Sequence, residues 1–257
     1  MAVKAEAEEA GSRRRLLLLH LRFRYAKARY MKKVAIFDID GTVFRSSLLI
    51  ELTDALVQEG IFPSKVSKLY ARAHENWLNK KGLYEDYINA VIKAFRQNIK
   101  GVRYNEFSKV AKKVAAFHRN RIYRYTRDIV KNLKKKNCYL LAISHSPQKV
   151  VKEFCKKMGF DKIYGQLYET DRQKRFTGKI LHLELIFDKA EILKRAIEKE
   201  KLTLKGSVGV GDTESDIAFL KMVEKPICFN PNQKLYQYAK RAGWKIIVER
   251  KDVIYYL

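Results

Sequence analysis

Several things are scarce in this 257-residue chain, and each scarcity excludes a class of protein. It has three cysteines, Cys138, Cys155 and Cys228, far apart and with no CxxC pair. That excludes a disulfide framework or a cysteine zinc site, and leaves separate reduced thiols in a cytoplasmic setting. Four prolines and twelve glycines exclude collagen-like and low-complexity chains. Long apolar runs are missing: Leu16 to Leu19 falls far short of the ~20 residues a bilayer requires, so no membrane span is expected. Acidic residues are also scarce, with 28 Asp+Glu against 54 Lys+Arg and a formal net charge of +26.

That charge brings polyanions into consideration, nucleic acid or anionic lipid, without naming any chemistry. It is spread along the chain; 20 Lys/Arg against 8 Asp/Glu lie between Arg45 and Lys135. Non-specific binding of nucleic acid at low salt follows from counterion release. No RNP-type aromatic motif, helix-turn-helix signature or zinc finger accompanies it, which counts against a pure nucleic-acid binder.

What is present is an α/β alternation. The first thirty residues stand apart: an Ala/Glu stretch, then Arg13-Arg14-Arg15, four leucines and further arginines. They lack the uninterrupted apolar segment and cleavage site of a signal peptide. Residues 1–30 are expected to be an extension outside the fold, a disordered basic arm or a mis-assigned start. Val34-Ala35-Ile36-Phe37 is wholly apolar, as a strand buried on both faces should be. Residues 46 to 136 read as helices, with Leu48, Leu49, Leu52 and Leu56 at helical spacing, and likewise Val110, Val114 and Phe117. Strands and helices then alternate: strands at Tyr139–Ser144, Ile163–Tyr168, Ser207–Gly211, Pro226–Phe229 and Lys245–Val248, and a small hairpin from Thr170 to Leu183 centred on Thr177-Gly178. The pattern predicts a three-layer, doubly wound parallel sheet, with ligands beyond the carboxyl ends of its strands.

Polar residues stand at those ends. The first strand ends in Asp38-Ile39-Asp40-Gly41-Thr42, the second in Ser144-His145, and the fourth in Asp212, Glu214 and Asp216. Clustered carboxylates are costly unless a cation or protons neutralise them. Oxygen donors without nearby His or Cys ligands suit Mg²⁺, and an aspartate beside it can serve as a nucleophile toward phosphorus.

In order along the chain, Asp38-Ile39-Asp40-Gly41-Thr42 resembles the first motif, DxDGT, of the haloacid dehalogenase-like superfamily. Ile143-Ser144-His145-Ser146-Pro147 resembles its second, Phe187-Asp188-Lys189 its third, and Gly211-Asp212-Thr213-Glu214-Ser215-Asp216 its fourth, with Asn230-Pro231 downstream. The helical insertion between the first two is similar to that of the phosphoserine phosphatase-like branch. The resemblance implies a Rossmann-like core, residues 31–45 and 137–257, with a helical cap at 46–136. It implies a Mg²⁺-dependent phosphatase acting on a small phosphorylated metabolite. Asp38 is then the nucleophile and Asp40 the acid/base. The metal falls to Asp38, the main-chain carbonyl of Asp40, Asp212 and Asp216. The substrate phosphate falls to Ser144, Lys189, Gly41, Thr42 and His145, with Lys179 competing for the role of Lys189. Glu214 and Ser215 stay open between a site role and helix N-terminal positions. The branch carries a Glu shortly after the first motif where this chain has Arg45-Ser46-Ser47, which puts phosphoserine itself in doubt. A nucleic-acid-associated protein, or a phosphatase of polynucleotide ends or lipid phosphates, is the alternative. His74, Trp77 and Arg72 are candidates to face the site from the insertion. Oligomeric state is not legible.

Overall fold

A computed structural model of the chain describes residues 31–257; the expectation for residues 1–30 lies outside the described residues. Strand β1, Lys33–Asp38, is followed by five helices: α1 Leu48–Gln58, α2 Lys68–Leu78, α3 Tyr84–Asn98, α4 Tyr104–Phe117 and α5 Arg124–Lys135. Then come β2 Tyr139–Pro147, α6 Gln148–Cys155, β3 Lys162–Thr170 and β4 Phe176–Leu181. Helices α7 Leu183–Phe187 and α8 Lys189–Glu200 lead to β5 Thr203–Gly211. The chain ends with α9 Ile217–Leu220, β6 Lys225–Phe229, α10 Gln233–Ala242, β7 Lys245–Arg250 and β8 Val253–Tyr256.

The strands form one sheet in the order β4-β3-β2-β1-β5-β6-β7-β8. The six inner strands are parallel, and the two edge strands, β4 and β8, are antiparallel to their neighbours. The fold is therefore the expected α/β sheet with helices on both sides, closed at each edge by a reversed strand.

Alternation along β1 shows why two helical layers are needed. Ala35 and Phe37 face one way, into a core shared with the inserted helices and α6. Val34 and Ile36 face the other, against residues of α8, α9 and α10. A strand buried on both faces carries no polar residue until it ends. After β1 the chain runs outward through β2, β3 and β4, then returns to place β5 on the other side of β1. The point where the winding reverses leaves a crevice beyond the carboxyl ends of β1 and β5.

Three sequence expectations need correction. The hairpin turns at Asp171–Arg175, because the Asp171 Oδ1 accepts hydrogen bonds from the Gln173 and Arg175 amides, both at 2.9 Å. Thr177-Gly178 therefore lies within β4, with the Thr177 hydroxyl donating to Glu169 across the pair at 2.6 Å. Val110 and Val114 are buried as expected, but Phe117 is 84% exposed: it is the last residue of α4 and its ring meets only His118 among described aromatic partners. The terminal strand β8 was not anticipated. Cys138, Cys155 and Cys228 are buried and unpaired. No described helix is long and apolar enough to cross a membrane.

Phe95 of α3 joins the inserted helices to the sheet, its ring meeting Phe62 at 5.8 Å, Phe107 at 6.4 Å and Tyr168 of β3 at 5.5 Å. Phe95→Ala should lower unfolding free energy by about 3–5 kcal/mol in a urea titration. A loss under 1 kcal/mol would show that this cluster does not hold the insertion to the core.

Candidate active site

Register places the chemistry. Asp38 pairs with Ile143 of β2 and Phe37 with Val210 of β5, so Asp38, Ser144 and Asp212 emerge side by side at the winding reversal. Asp38, Asp212 and Asp216 bring carboxylate oxygens within 4.8 Å of one another. Lys189, the first residue of α8, is 2% exposed, and its Nζ lies 2.6 Å from both Asp38 Oδ1 and Asp216 Oδ1. Burial works against a charged ammonium, yet Asp216 and Asp38 more than compensate, and the lysine stays protonated.

The loop after β1 turns on Gly41, whose φ of +79° is open to glycine at no steric cost. A side chain there would run into the Asp212 carboxylate. The same holds across the site, where a Cβ on Gly211 would meet the Asp216 carboxylate. Asp216 in turn accepts from the Asp212 and Thr213 amides at 2.9 and 3.1 Å, so β5 runs straight into a capped turn that fixes both carboxylates.

Asp40 faces differently. Its Oδ1 accepts from the Leu48 amide and its Oδ2 from the Ser144 hydroxyl, each at 2.5 Å. Ser47 gives no side-chain cap to α1, so Asp40 caps that helix from eight residues upstream. Its side chain is thus held to Leu48 and Ser144, outside the group of three carboxylates. Ser144 itself accepts from the Ser146 amide at 2.9 Å.

The electrostatics follow from burial. Burial, opposed by Lys189 and reinforced by Asp216 and Asp40, pushes the Asp38 carboxyl up to about 7. Asp212 is also raised, by burial and then by Asp38 and Asp216. Asp40 is raised by burial despite its hydrogen bonds to Ser144 and Leu48. Asp38 Oδ2 is buried with no hydrogen-bond partner among the described residues. An unpartnered carboxylate oxygen beside two more carboxylates is a donor set that fits a hard divalent cation such as Mg²⁺.

The remaining expectations divide. The Gly41 amide donates to the Phe44 and Ser46 carbonyls at 3.0 and 3.1 Å, and the Thr42 hydroxyl to Asp212 at 3.2 Å. Gly41 thus closes the loop and Thr42 ties it to the Asp212 carboxylate. His145 packs its ring 5.1 Å from Phe187, and its Nε2 is buried without a partner among the described residues. Burial and then Lys189 lower its pKa to about 4, so the imidazole is neutral at pH 7. Lys179 lies on β4 and makes no described contact with this cluster. Glu214 is held by Lys234 at 2.8 Å and by Asn232, while Ser215 shares a hydrogen bond with Thr213.

The chain matches the family model for haloacid dehalogenase-like hydrolases over residues 35–221, which spans all four motifs. It belongs to the haloacid dehalogenase-like hydrolase family. Among curated proteins it is 24% identical over 235 residues to the histidinol-phosphatase of Neisseria meningitidis serogroup C, covering 84% of this chain and 99% of that one. It is 22% identical over 211 residues to the phosphoserine phosphatase of Archaeoglobus fulgidus, covering 81% of this chain but 55% of that protein. Among solved structures, a protein of unknown function from Bordetella pertussis Tohama I superposes with a TM-score of 0.65 at 16% identity, over 84% of this chain and 98% of that one. A phospho-aspartyl intermediate analogue of phosphoserine phosphatase superposes with a TM-score of 0.56 at 22% identity, over 86% and 95%. The chain is a phosphoric monoester hydrolase of the phosphoserine phosphatase-like branch of this family.

Some residues around this hydrolase site carried no sequence signal. Burial, and then the negative charges of Asp40 and Asp212, raise the pKa of the Tyr84 phenol, although the residue is 42% exposed. Tyr123 lies under the Arg45 guanidinium at 5.5 Å and also feels Asp212. Of the insertion candidates, His74 and Trp77 stack on Tyr87 at 4.5 and 5.8 Å, and Trp77 meets Tyr84 at 5.3 Å. Arg72 is exposed and takes no part in this aromatic group.

A raised carboxyl pKa stabilises the folded state below the unfolded value and loses that contribution as pH rises through the folded value. Asp38, raised from 3.8 to about 7, therefore makes the protein in chelator melt at a lower temperature at pH 8 than at pH 5.5. Mg²⁺ should raise the melting temperature more at pH 8. Equal Mg²⁺ shifts at both pH values would contradict this placement of charge.

Proposed function

We propose that this phosphatase hydrolyses the phosphate monoester of a small metabolite through an aspartyl-phosphate on Asp38, and that it depends on Mg²⁺. The observation that carries the reading is the unpartnered Asp38 Oδ2 at the winding reversal, beside two further carboxylates and a buried lysine. In this reading residues 46–136 act as the cap, and residues 31–45 with 137–257 as the catalytic core.

One carboxylate oxygen of Asp38 attacks phosphorus as the bond to the ester oxygen breaks, and Asp40 gives its proton to the departing alkoxide. Asp40 then takes a proton from water as that water's oxygen attacks phosphorus, and the Asp38–phosphorus bond breaks to release phosphate. Ser144 exchanges its hydrogen bond to Asp40 for one to a phosphoryl oxygen; losing that donor also helps Asp40 keep its proton. Lys189, fixed between Asp38 and Asp216, offers its remaining donor to another phosphoryl oxygen. The neutral His145, whose Nε2 is buried without a partner among the described residues, is the group that would offer a nitrogen to the substrate. Mg²⁺ held by Asp38, the Asp40 carbonyl, Asp212 and Asp216 would supply the positive charge that lets these carboxylates ionise beside a phosphate.

The alcohol portion of the substrate faces the cap aromatics Tyr84, Trp77 and His74. The relatives named for histidinol phosphate and phosphoserine both support a small ester of this size class. The stretch Arg45-Ser46-Ser47, where phosphoserine phosphatases carry a Glu, argues against a substrate read through its ammonium there.

Asp38→Asn should abolish phosphate release while preserving the fold, and Asp40→Asn should slow it by ~10²–10⁴-fold. Both are read by phosphate release from a panel of small esters with and without Mg²⁺; near-native rates in Asp38→Asn would overturn the mechanism. Tyr84→Ala should raise KM more than it lowers kcat, by about ten-fold, because it removes binding shared by ground and transition states. An unchanged KM with every turned-over ester would remove Tyr84 from the substrate's surroundings.

A further inference from the structure

A cavity of about 510 Å³ lies between α4, α5 and α6, and none of its lining residues belongs to the site described above. Each helix supplies one face. Ala115, Ala116 and Arg119 come from α4 and the turn after it, Arg127, Val130 and Lys131 from α5, and Phe154 from α6. The floor is apolar, built from Val43, Ala115, Val130, Phe154 and Met158. Two alanines where helices usually interlock larger side chains leave the space open.

The rim has the opposite character. Lys112, Arg119, Arg127, Lys131, Lys156 and Lys157 make up six of its fifteen lining residues, against 54 Lys+Arg in 257 residues of chain. Arg127 bonds Asp128 at 2.8 Å, and the single lining carboxylate, Glu153, is held by Lys149 at 2.7 Å. Among the described residues the other five cations form no ion pair. Like charges converge around an apolar floor at an electrostatic cost unless an anion completes them.

We propose that this cavity is a second ligand site, for a small amphipathic anion whose apolar body lies on Val130, Phe154 and Met158 and whose acidic head meets Lys131, Lys156 and Lys157. The charge complementarity selects the head group, and the apolar floor selects the body. The site is independent of the phosphatase reading. Its nearest link to the reaction is Val43, which directly follows Thr42 in the loop and accepts the Tyr123 amide at 3.1 Å.

The test uses the full chain and octanesulfonate, an amphipathic anion that a phosphatase cannot cleave, titrated calorimetrically. Inorganic sulfate and the uncharged octyl glucoside serve as head-only and tail-only probes. One octanesulfonate should bind per chain, more weakly as salt is raised, and both partial probes should bind at least about ten-fold less tightly. Ala116→Trp, an exposed helix position whose indole fills the cavity, should abolish binding. The double change Lys131→Glu with Lys157→Glu should weaken it by more than about ten-fold. Thermal melts of both variants establish that they are folded. Co-sedimentation with phosphatidylglycerol vesicles, abolished by Ala116→Trp, would support the site with a lipid as the source of the anion. Octanesulfonate binding without co-sedimentation would support it with a soluble ligand. No saturable octanesulfonate binding, or binding that both variants leave unchanged, would overturn the proposal.

Discussion

Lys189 is buried between Asp38 and Asp216, and much of the site's architecture answers to that arrangement. Removing an ammonium from water costs several kcal/mol, recovered only when the partners are close and fixed. The partners here are fixed from two directions. Asp38 cannot move because it ends a central strand, and Asp216 cannot move because its second oxygen takes the Asp212 and Thr213 amides. The small residues at Gly41 and Gly211 follow from the same constraint, since a side chain at either would occupy the space of a carboxylate.

One lysine does not balance the group. Asp38, Asp212 and Asp216 crowd their oxygens within 4.8 Å, and Asp38 and Asp212 respond with raised pKa values. The imbalance suits the group to a hard cation, whose positive charge would offset the carboxylates beside a phosphate. Asp40 is kept out of that competition by α1, whose first amide and the Ser144 hydroxyl hold its carboxylate to one side. Two aspartates two residues apart thereby acquire different environments and can take different chemical roles.

The sheet and the site cluster were readable from sequence because both depend on short-range pattern. Val34 to Phe37 is apolar without interruption only where a strand is covered twice, and Asp38, Asp40, Asp212 and Asp216 stand where such strands end. Lys189 was distinguishable from Lys179 only through the motif resemblance, and the structure brings it, and not Lys179, to Asp38. Long-range matters were not readable. Tyr84 meets Trp77 and Tyr87 across two helices of the insertion, and no local pattern encodes that aromatic group. The turn at Asp171 was misplaced because a Thr-Gly pair is a generic turn signal, while the Asp171 side chain supplies the stronger one. The hydrogen bonds of Gly41 within the loop and of Thr42 to Asp212 carry no sequence signal of their own.

The central claim is that Asp38 carries the phosphoryl group. The most direct measurement is acid quenching of the enzyme during turnover, followed by peptide mass spectrometry at low pH, where an acyl phosphate survives. The account predicts one added phosphoryl group on the peptide spanning Asp38, absent without substrate and lost on brief exposure to alkali. A phosphoryl group on any other residue, or none on the enzyme while phosphate is being released, would contradict it.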